Sequence, residues 1–452
     1  MRGLLLLLIV LSPAQAAISY DEHIKPIFRR HCLKCHGDDT HKADLNLQTY
    51  ASALKGGSGG AALIAGRTSQ SLLHSAITDA DPEARMPPKK PQLPAEHVAT
   101  IAEWIASGLR ESSASASLVA SRDTRFQPPK DTGAKPEDPA MPGLPPYTPP
   151  ATIRPLPILA IDASPWAPVV AVAGHEHVRL IHTKSEQELG AIPFPDGVPQ
   201  VIRFSSDGAL LLVAGGRPVE SGIVALFSVK TGQRLATIGD EIDAVLAADI
   251  SPDQTRVALG GSGKRVKVYA TSDASLSYSI DRHTDWITAL AFSPDGSKLA
   301  SSDRAGGIHI WDASSGGILL NLGEHKAAVR ALDWRSDSKF LASVGEDGRV
   351  IWWDVADGWP AINKDNAHPP PRPAGSYGTI PNGVLAAHFA PNGQLATTGR
   401  DGVLRLWDEK GNAKKTQAIP SGLPISVTVS HDSGTIITGD STGKITFLRL
   451  AP

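Results

Sequence analysis

A disulfide framework is excluded, because the 452 residues include two cysteines and these lie three positions apart. An excess of charge of one sign is also lacking: 44 lysines and arginines face 46 aspartates and glutamates, a net charge of −2. This balance argues against a nucleic-acid partner. The apolar run Leu4–Leu11 spans about 12 Å of helix, too short for ~30 Å of hydrocarbon, and no later run is longer. We therefore expect no membrane span in the mature chain.

Glycine and proline are abundant, with 42 and 36 residues respectively. Hydrophobic residues make up 41% and charged residues 20% of the chain, which is ordinary for a folded protein and excludes a mostly disordered one. At ~150 residues per domain the length predicts about three domains. The frequent glycines and prolines indicate many short strands joined by turns.

The N-terminus has the pattern of a secretory signal peptide. Arg2 precedes the apolar run Leu4–Leu11, and Ala14-Gln15-Ala16 provides the small residues of a cleavage site. We expect residues 1–16 to be removed, leaving a soluble mature protein from about Ala17. The protein is expected to be exported, in a bacterial cell to the periplasm.

The two cysteines form the sequence Cys32-Leu33-Lys34-Cys35-His36, which is typical of covalent c-type haem attachment. Two thiols one helical turn apart can add to the two vinyl groups of one haem, and the following imidazole then lies under the iron. A zinc knuckle would bring its ligands as two separated pairs. A redox-active cysteine pair would need a thioredoxin-like strand and helix around it. The export signal further favours haem, with His36 as the proximal ligand.

A six-coordinate haem iron needs a second axial ligand. The mature chain has two methionines, Met86 and Met141, and Met141 lies in a proline-rich segment. Two prolines follow Met86 and would stiffen the loop that presents its thioether. Met86 is therefore the favoured distal ligand, and His41, His74 and His97 are the alternatives.

Several separate motifs occur in the order and spacing of the planctomycete-type cytochrome c domain. They are Cys32–Gly37, the glycine-rich loop Gly56–Gly60, Ser71–Leu73, Met86–Pro88 and Glu103–Ile105. Residues 18–110 thus resemble this family, which implies a small all-α domain over residues 17–110. The resemblance also implies one covalent haem c, with thioether bonds at Cys32 and Cys35, His36 as proximal ligand and Met86 as distal ligand.

Residues 111–146 differ in composition from what precedes them. A Ser/Ala-rich stretch comes first, and 11 prolines fall between Pro128 and Pro157. Such a segment cannot bury a core and favours extended, semi-rigid conformations. We interpret it as a linker between two domains.

Beyond the linker the chain repeats. Similar turn sequences start at residues 164, 205, 251, 293, 335, 390 and 430, and three repeats end in a Trp-Asp pair at Trp311, Trp353 and Trp407. A period near 40–45 residues with Trp-Asp ends indicates propeller blades. Residues 147–452 resemble the WD-repeat β-propeller family, which implies an all-β domain of seven blades that presents its loops to protein partners.

The repeats depart from the family pattern at several places. Repeats one, two, three and seven lack Trp-Asp, and Ala305 lies where the turn aspartate of its blade is expected. Asp303, Asp347 and Asp401 are expected to make structural turn hydrogen bonds with backbone groups or histidine, without acid–base chemistry.

The last repeat lacks an outer strand after Lys444–Leu450. We expect Thr148–Pro155, before the first repeat, to supply it and close the ring, which removes exposed sheet edges. A proline-rich insertion at Asn363–Thr379 falls in the longest gap between repeats, where a loop on a binding face and a disordered tip are equally good interpretations.

A possible metal site in the first repeat consists of His175, Glu176, His177 and His182. No further ligand is positioned near them, so an ordinary turn and strand is the favoured interpretation. No pairing of a nucleophile with a base is evident in the propeller.

These features predict an exported c-type cytochrome that carries single electrons, with the propeller as a docking scaffold for a redox partner protein. Filled axial positions disfavour oxygen or substrate binding at the iron. The alternative is a haem-containing oxidoreductase subunit, whose propeller binds a substrate and passes its electrons to the haem. A third hypothesis is a haem-bearing structural or sensing protein without turnover.

Overall fold

A computed structural model describes residues 18–60, 62–66, 68, 71–112, 115, 144, 156–369 and 383–450. The predicted signal peptide, Met141, the closing strand Thr148–Pro155 and most of the predicted linker lie outside these residues. The chain divides into two compact units, Met1–Arg122 and Asp123–Pro452.

The first unit is helical. Its described α-helices are α1 (Lys25–His31), α2 (Leu33–His36), α3 (Tyr50–Lys55), α4 (Leu72–Thr78) and α5 (Ala95–Ala106). A π-helical turn (Tyr20–Ile24) precedes α1, and a 3₁₀ turn (Lys42–Asp44) follows α2. Pro26 lies in the first turn of α1, where its missing N–H costs no hydrogen bond.

Aromatic side chains form the centre of the helical core. Trp104 of α5 and Phe28 of α1 are fully buried, and their rings meet edge to face with centroids 6.3 Å apart. Tyr20 packs against both rings, and its hydroxyl donates to the carbonyl of Leu47 at 2.9 Å. This core fixes α1, and with it the cysteine motif that follows directly, against α5.

The second unit consists of seven antiparallel sheets, which we number as blades one to seven in chain order. The described strands, blade by blade, are β1 (Ile161–Ala163), β2 (Val169–Ala173), β3 (His177–His182) and β4 (Glu188–Pro193); β5 (Val198–Phe204), β6 (Leu210–Arg217), β7 (Ser221–Ser228) and β8 (Arg234–Glu241); β9 (Val245–Ile250), β10 (Arg256–Gly261), β11 (Val266–Ala270) and β12 (Leu276–Ile280); β13 (Ile287–Phe292), β14 (Lys298–Asp303), β15 (Ile308–Asp312) and β16 (Ile318–Leu322); β17 (Val329–Trp334), β18 (Phe340–Gly345), β19 (Val350–Asp354) and β20 (Trp359–Lys364); β21 (Val384–Phe389), β22 (Leu395–Gly399), β23 (Val403–Trp407) and β24 (Ala413–Ala418); β25 (Pro424–Val429), β26 (Thr435–Asp440) and β27 (Ile445–Arg449).

The seven inner strands, β1, β5, β9, β13, β17, β21 and β25, contact one another in a closed ring. An apolar cluster fills the space between each pair of neighbouring blades. The last of these clusters packs Ile437 of blade seven against Val170 and Val172 of blade one. The Ile158 N–H also donates to the Asp440 carbonyl at 3.0 Å. The predicted seven-bladed propeller is therefore confirmed, and its ring closes between blades seven and one.

The repeated turn sequence joins the first and second strands of most blades. In blade four, the Ser293 hydroxyl accepts the backbone N–H of Lys298 at 2.9 Å, and the Asp295 carboxylate accepts that of Ser297 at 3.0 Å. Short side chains that bind the backbone in this way favour a tight turn. The same geometry at Ser205, Ser251 and Ser430 explains why these blades are recognisable without Trp-Asp.

No helix among the described residues is both long enough and apolar enough to cross a membrane.

Candidate functional site

The cysteine motif occupies one turn at the junction of α1 and α2. Cys32 follows the last residue of α1, and its carbonyl accepts the backbone N–H groups of Cys35 and His36, each at 3.0 Å. Both thiols are unpaired and partly exposed. The three side chains predicted to hold a haem therefore project from a single turn.

The His36 imidazole is oriented by the backbone of the following loop. Its Nδ1 lies 3.3 Å from the carbonyl oxygen of Leu45. Because a carbonyl can only accept, Nδ1 carries the proton and Nε2 keeps a free lone pair. The carbonyl of His36 also accepts the Leu47 N–H at 2.8 Å. A hydrogen bond from the distant ring nitrogen to a carbonyl is the usual support of a metal-ligating histidine.

Two glycines, one after α2 and one after α3, allow close backbone packing near the motif. A Cβ at Gly37 would lie 2.6 Å from the carbonyl oxygen of Leu33, and a Cβ at Gly57 would lie 2.4 Å from that of Ala43. Both distances are far inside van der Waals contact with rigid backbone. A larger residue at position 37 would therefore clash with α2, and one at position 57 would clash with the 3₁₀ turn.

Burial, with a smaller effect from Cys35, raises the pKa of the Cys32 thiol to about 12. A thiol-disulfide oxidoreductase needs the opposite, a lowered pKa that yields a thiolate at neutral pH. The redox-pair alternative is therefore disfavoured on the chemistry of this thiol.

The residues present fit a haem group. Two free thiols and an imidazole nitrogen with a lone pair lie on one turn, and Cys32, Leu33 and Leu45 border the apolar core of the unit. Apolar surroundings of this kind keep water from an iron centre and influence its potential.

Met86 lies in the loop between α4 and α5. Its backbone N–H donates to the carbonyl of Ala76, in α4, at 2.8 Å, and this bond ties the loop to that helix. Its side chain is 39% exposed. The thioether is thus free of the core packing that an ordinary buried methionine would have, and its role as distal ligand stays a prediction.

The alternative distal ligands occupy three different places. His41 forms an isolated backbone bridge with His36, and His74 lies on α4. His97, on α5, has its ring edge to face with His31 of α1, at a centroid separation of 5.3 Å. His97 is therefore engaged at the crossing of two helices.

The His31–His97 pair was not found in the sequence analysis, because the two residues are far apart in the chain and neither belongs to a motif. Nε2 of His31 and Nδ1 of His97 are buried without a hydrogen-bond partner among the described residues. Burial, then the neighbouring His97, lowers the pKa of His31. The two rings therefore contact each other where α1 and α5 meet, and His31 directly precedes Cys32 in the chain.

Among the described residues, no group of three or more histidine, cysteine, aspartate or glutamate side chains is arranged to hold a metal ion. In the first blade, Nδ1 of His177 lies 2.6 Å from the carbonyl of His175, and Glu176 forms an ion pair with Arg217. These side chains stabilise a turn and the neighbouring blade, as the favoured interpretation of this segment holds.

Blades four, five and six each contain a buried network of a histidine, an aspartate, a hydroxyl residue and a tryptophan, which Arg405 joins in blade six. The sets are His283, Asp303, Ser301 and Trp311; His325, Asp347, Ser343 and Trp353; and His368, Asp401, Thr397 and Trp407. The predicted structural role of the three aspartates is thereby confirmed.

The fifth blade shows how such a network is satisfied. The Trp353 indole donates to the Ser343 hydroxyl at 2.8 Å, and that hydroxyl lies 2.8 Å from Nε2 of His325. Nδ1 of His325 lies 3.0 Å from the Asp347 carboxylate. Burial opposes ionisation, but the hydrogen bond and charge of His325, together with backbone hydrogen bonds from Lys326 and Arg349, outweigh it and lower the pKa of Asp347. The ionised carboxylate accepts from Nδ1, so Nε2 accepts from the serine.

This order of serine, histidine and aspartate resembles that of a hydrolase, but the hydroxyls are inaccessible. Ser301, Ser343 and Thr397 are each 0% exposed. A nucleophile must reach its substrate, and these hydroxyls already accept a bond from tryptophan. Each network ties together the strands and turns of one blade, and the networks do not form an active site.

Two details of the networks differ from a simple repeat. In blade four Ala305 occupies the expected turn-aspartate position, and Asp303, two residues earlier, contacts His283 at 2.9 Å in its place. In blade six the histidine is His368, which the sequence analysis assigned to an insertion. The insertion separates His368 from Asp401 and hides the usual spacing.

Comparisons with known proteins agree with this architecture. Residues 32–90 match the family model described as Planctomycete cytochrome C. Residues 274–312, 316–354 and 375–408 match the model described as WD domain, G-beta repeat. Both resemblances seen in the sequence are therefore confirmed.

Solved structures match the propeller. A chain of "Crystal Structure of Mitotic Checkpoint Complex" is 21% identical, with a TM-score of 0.57, over 67% of this chain and 93% of that one. A chain of "Crystal structure of RRP9 WD40 repeats" is 16% identical, with a TM-score of 0.58, over 66% of this chain and 95% of that one. At these identities the likeness shows the fold alone. No curated protein matches the sequence significantly.

Proposed function

We propose that this protein is an exported electron-transfer protein, with one haem c held covalently by Cys32 and Cys35 in its helical unit. The observation that carries the proposal is the single turn that presents two free thiols and the His36 imidazole, whose Nδ1 faces the Leu45 carbonyl at 3.3 Å. The match of residues 32–90 to a cytochrome c family supports it.

When bound, the haem iron would supply reversible one-electron chemistry. The residues of the chain would do the rest. His36 would bind through Nε2 while the Leu45 carbonyl holds its ring, and Met86 would present its thioether from the loop tied to Ala76. The aromatic core around Trp104 would exclude water from one side. Two protein ligands would leave no place for a substrate at the iron.

The propeller would serve as a rigid scaffold for a partner protein. Its seven interblade clusters and the three buried networks make a stiff ring, and the loops between strands carry the exposed side chains. Scaffolds of this type place binding residues on loops. The partner would be a redox protein that donates electrons to the haem or accepts them.

Haem attachment is tested by producing the full chain in a bacterium that matures c-type cytochromes. The protein should keep its haem in acidified acetone and on a denaturing gel, whereas the Cys32→Ala/Cys35→Ala variant should lose it. His31→Ala, beside Cys32, is the matched control and should retain the haem. Loss of haem from the parent protein under these conditions would contradict the proposal.

Export is tested on the same material. The mature chain isolated from the periplasm should start near Ala17, as read by mass spectrometry. An intact Met1 in a cytoplasmic fraction would contradict it.

A second candidate function is that of an oxidoreductase subunit whose propeller binds a small substrate. A cavity on the propeller axis favours it. Reduction of the haem by a small molecule, in purified protein without a partner, would distinguish this function from electron transfer between proteins.

A further inference from the structure

The inner strands of the propeller enclose a cavity of about 250 Å³ on its axis. Most of the described residues that line it are aliphatic, and Gln200, Thr288 and Ser426 add polar groups. Two of the described lining residues are ionisable, and both are arginines: Arg203 of β5 and Arg330 of β17. The wall of this cavity therefore combines aliphatic side chains with polar surface and two positive charges.

The Arg203 guanidinium has unused hydrogen-bond donors. It makes no hydrogen bond to the described residues, and its nearest carboxylate oxygen, Oδ1 of Asp162, is 4.0 Å from Nη1. Its side chain is 31% accessible although it lies inside the propeller. A guanidinium carries five N–H donors, so burial without partners is costly unless water or a ligand accepts them.

Arg330 is more exposed than Arg203, with 47% of its side chain accessible, and it forms a long ion pair with Glu346. Its Nη1 lies 3.9 Å from Oε1 of Glu346, beyond hydrogen-bond distance. That same oxygen already accepts from Arg400 at 3.2 Å. Blades two and five, which carry Arg203 and Arg330, are as far apart as a ring of seven allows, so the two arginines approach the cavity from opposite walls.

Three aspartates lie behind Arg203, at the same position of other inner strands. Each accepts a backbone N–H of a following blade at 2.6–2.7 Å: Asp162 from Phe204, Asp249 from Phe292 and Asp333 from Phe389. Their charges outweigh the effect of burial and raise the pKa of Arg203. They thus favour the charged guanidinium, and each carboxylate is fixed in place by its backbone hydrogen bond.

His388 of β21 completes this group. Its Nε2 lies 3.7 Å from Oδ1 of Asp162, and its Nδ1 is buried without a hydrogen-bond partner among the described residues. Burial would lower the pKa of His388, but Asp333 and Asp162 outweigh burial and raise it. A protonated His388 offsets part of the negative charge behind Arg203.

We propose that the axial cavity binds a short aliphatic dicarboxylate, with Arg203 and Arg330 each binding one carboxylate. Guanidinium and carboxylate form paired, charge-assisted hydrogen bonds, and the aliphatic side chains of the wall can contact a short hydrocarbon chain. The volume lies below the 300–1,000 Å³ typical of drug-sized ligands, so the ligand has few carbons.

The spacing of the arginines favours two carboxylates over one. Asp333 has the same position in β17 that Arg203 has in β5, and Arg330 lies three residues before Asp333. Three residues of strand span about 10 Å, so the two arginines enter the cavity at different levels along the axis. This inference goes beyond electron transfer and does not depend on the haem.

Calorimetric titration of the full-length protein with succinate tests the proposal. We expect saturable binding at one site, weakened by 10- to 100-fold in Arg203→Gln, as loss of a charge-assisted pair predicts. Arg330→Gln should lose the preference for succinate over butyrate. Arg304→Gln, a surface arginine that stacks on Trp286, is the matched control and should bind as the parent does.

Folding is checked by thermal melting of each variant. If Arg203→Gln does not fold, Arg203→Lys keeps the charge, loses the paired geometry and should still weaken binding. Absence of saturable succinate binding, or equal affinity in the parent and either Arg203 variant, would overturn the proposal. Tighter binding of inorganic phosphate than of any dicarboxylate would also overturn it.

The pH dependence of binding gives an independent readout. Burial raises the pKa of Asp249 to about 6, and the pKa of His388 is raised as well. As the pH rises, Asp249 becomes negative near pH 6 and His388 loses its charge, so the surroundings of Arg203 become more negative. Succinate affinity should therefore fall as the pH rises through about 6, and a rise would contradict the assignment.

Discussion

Replacing Ser343 with alanine removes the hydroxyl at the centre of the buried network in blade five. That hydroxyl accepts the Trp353 indole N–H and contacts Nε2 of His325, each at 2.8 Å. The two partners are 1% and 7% exposed, so water cannot replace the lost bonds. At about 1–3 kcal/mol for each buried polar group left unsatisfied, the variant should lose about 2–6 kcal/mol of stability.

This loss should be visible as a shift in the melting temperature of the propeller. A large domain shifts by about 2 °C per kcal/mol, which predicts a decrease of about 4–12 °C. The full-length protein is suitable, since near-ultraviolet circular dichroism of the propeller tryptophans reports on this unit. Pairs of melting curves recorded at several heating rates show whether the transition is reversible.

Two control variants separate the network from a general effect of mutation. Ser336→Ala changes an exposed turn residue of the same blade and should shift the melting temperature by about 1 °C or less. Ser343→Thr keeps the hydroxyl, and blade six uses Thr397 at this position. It should recover most of the stability. If Ser343→Ala melts together with Ser336→Ala, our account of the network is wrong.

Three further predictions concern the haem ligand, the propeller axis and the ring closure. Met86→Ala should lower the haem reduction potential and remove the weak far-red sulfur-to-iron band of the oxidised protein, and an unchanged spectrum would point to His41, His74 or His97. Asp249→Asn should stabilise the propeller by up to ~3 kcal/mol at pH 8 and have little effect at pH 4. The reason is that Asp249 has a raised pKa of about 6, so the folded state loses stability as pH rises through that value. Equal melting temperatures of parent and variant at pH 8 would refute this. A fragment that starts at residue 130 should melt cooperatively as a monomer. A fragment that starts at residue 156 lacks Thr148–Pro155, so it should be less stable and should aggregate. Identical behaviour of the two fragments would mean that the ring closes in another way.

The propeller could be predicted from local features that recur. Each blade begins with an apolar strand and the turn of serine and aspartate, and this pair of signals repeats at a nearly constant interval. The cysteine motif was equally visible, because its chemistry requires adjacent residues. In both cases the interacting groups are close in sequence, so their spacing carries the information.

Interactions across long segments were harder to predict. His368 contacts Asp401 at 2.8 Å, yet an insertion lies between them and changes the spacing that marks this pair in blade five. In blade four Asp303 takes the role that an aspartate two positions further along has in blades five and six. The geometry of the turn decides whether its carboxylate reaches His283. Side-chain reach of this kind is a property of the folded turn.

The axial group shows most clearly why a strand sequence conceals such a site. Arg203, Asp249 and His388 each look like one polar residue at the end of an apolar strand, and each would be acceptable on a solvent-facing edge. They come together because ring closure brings the same position of every inner strand to one level of the axis. The charge borne by each residue then depends on residues from three other blades, and Asp249 is the example, since burial raises its pKa while Arg203 opposes the rise. A change in one of these residues should therefore alter the titration of its neighbours. Nuclear magnetic resonance of the His388 ring in Asp333→Asn would measure this directly: the pKa of His388 should fall, because the negative charge that raises it most is lost.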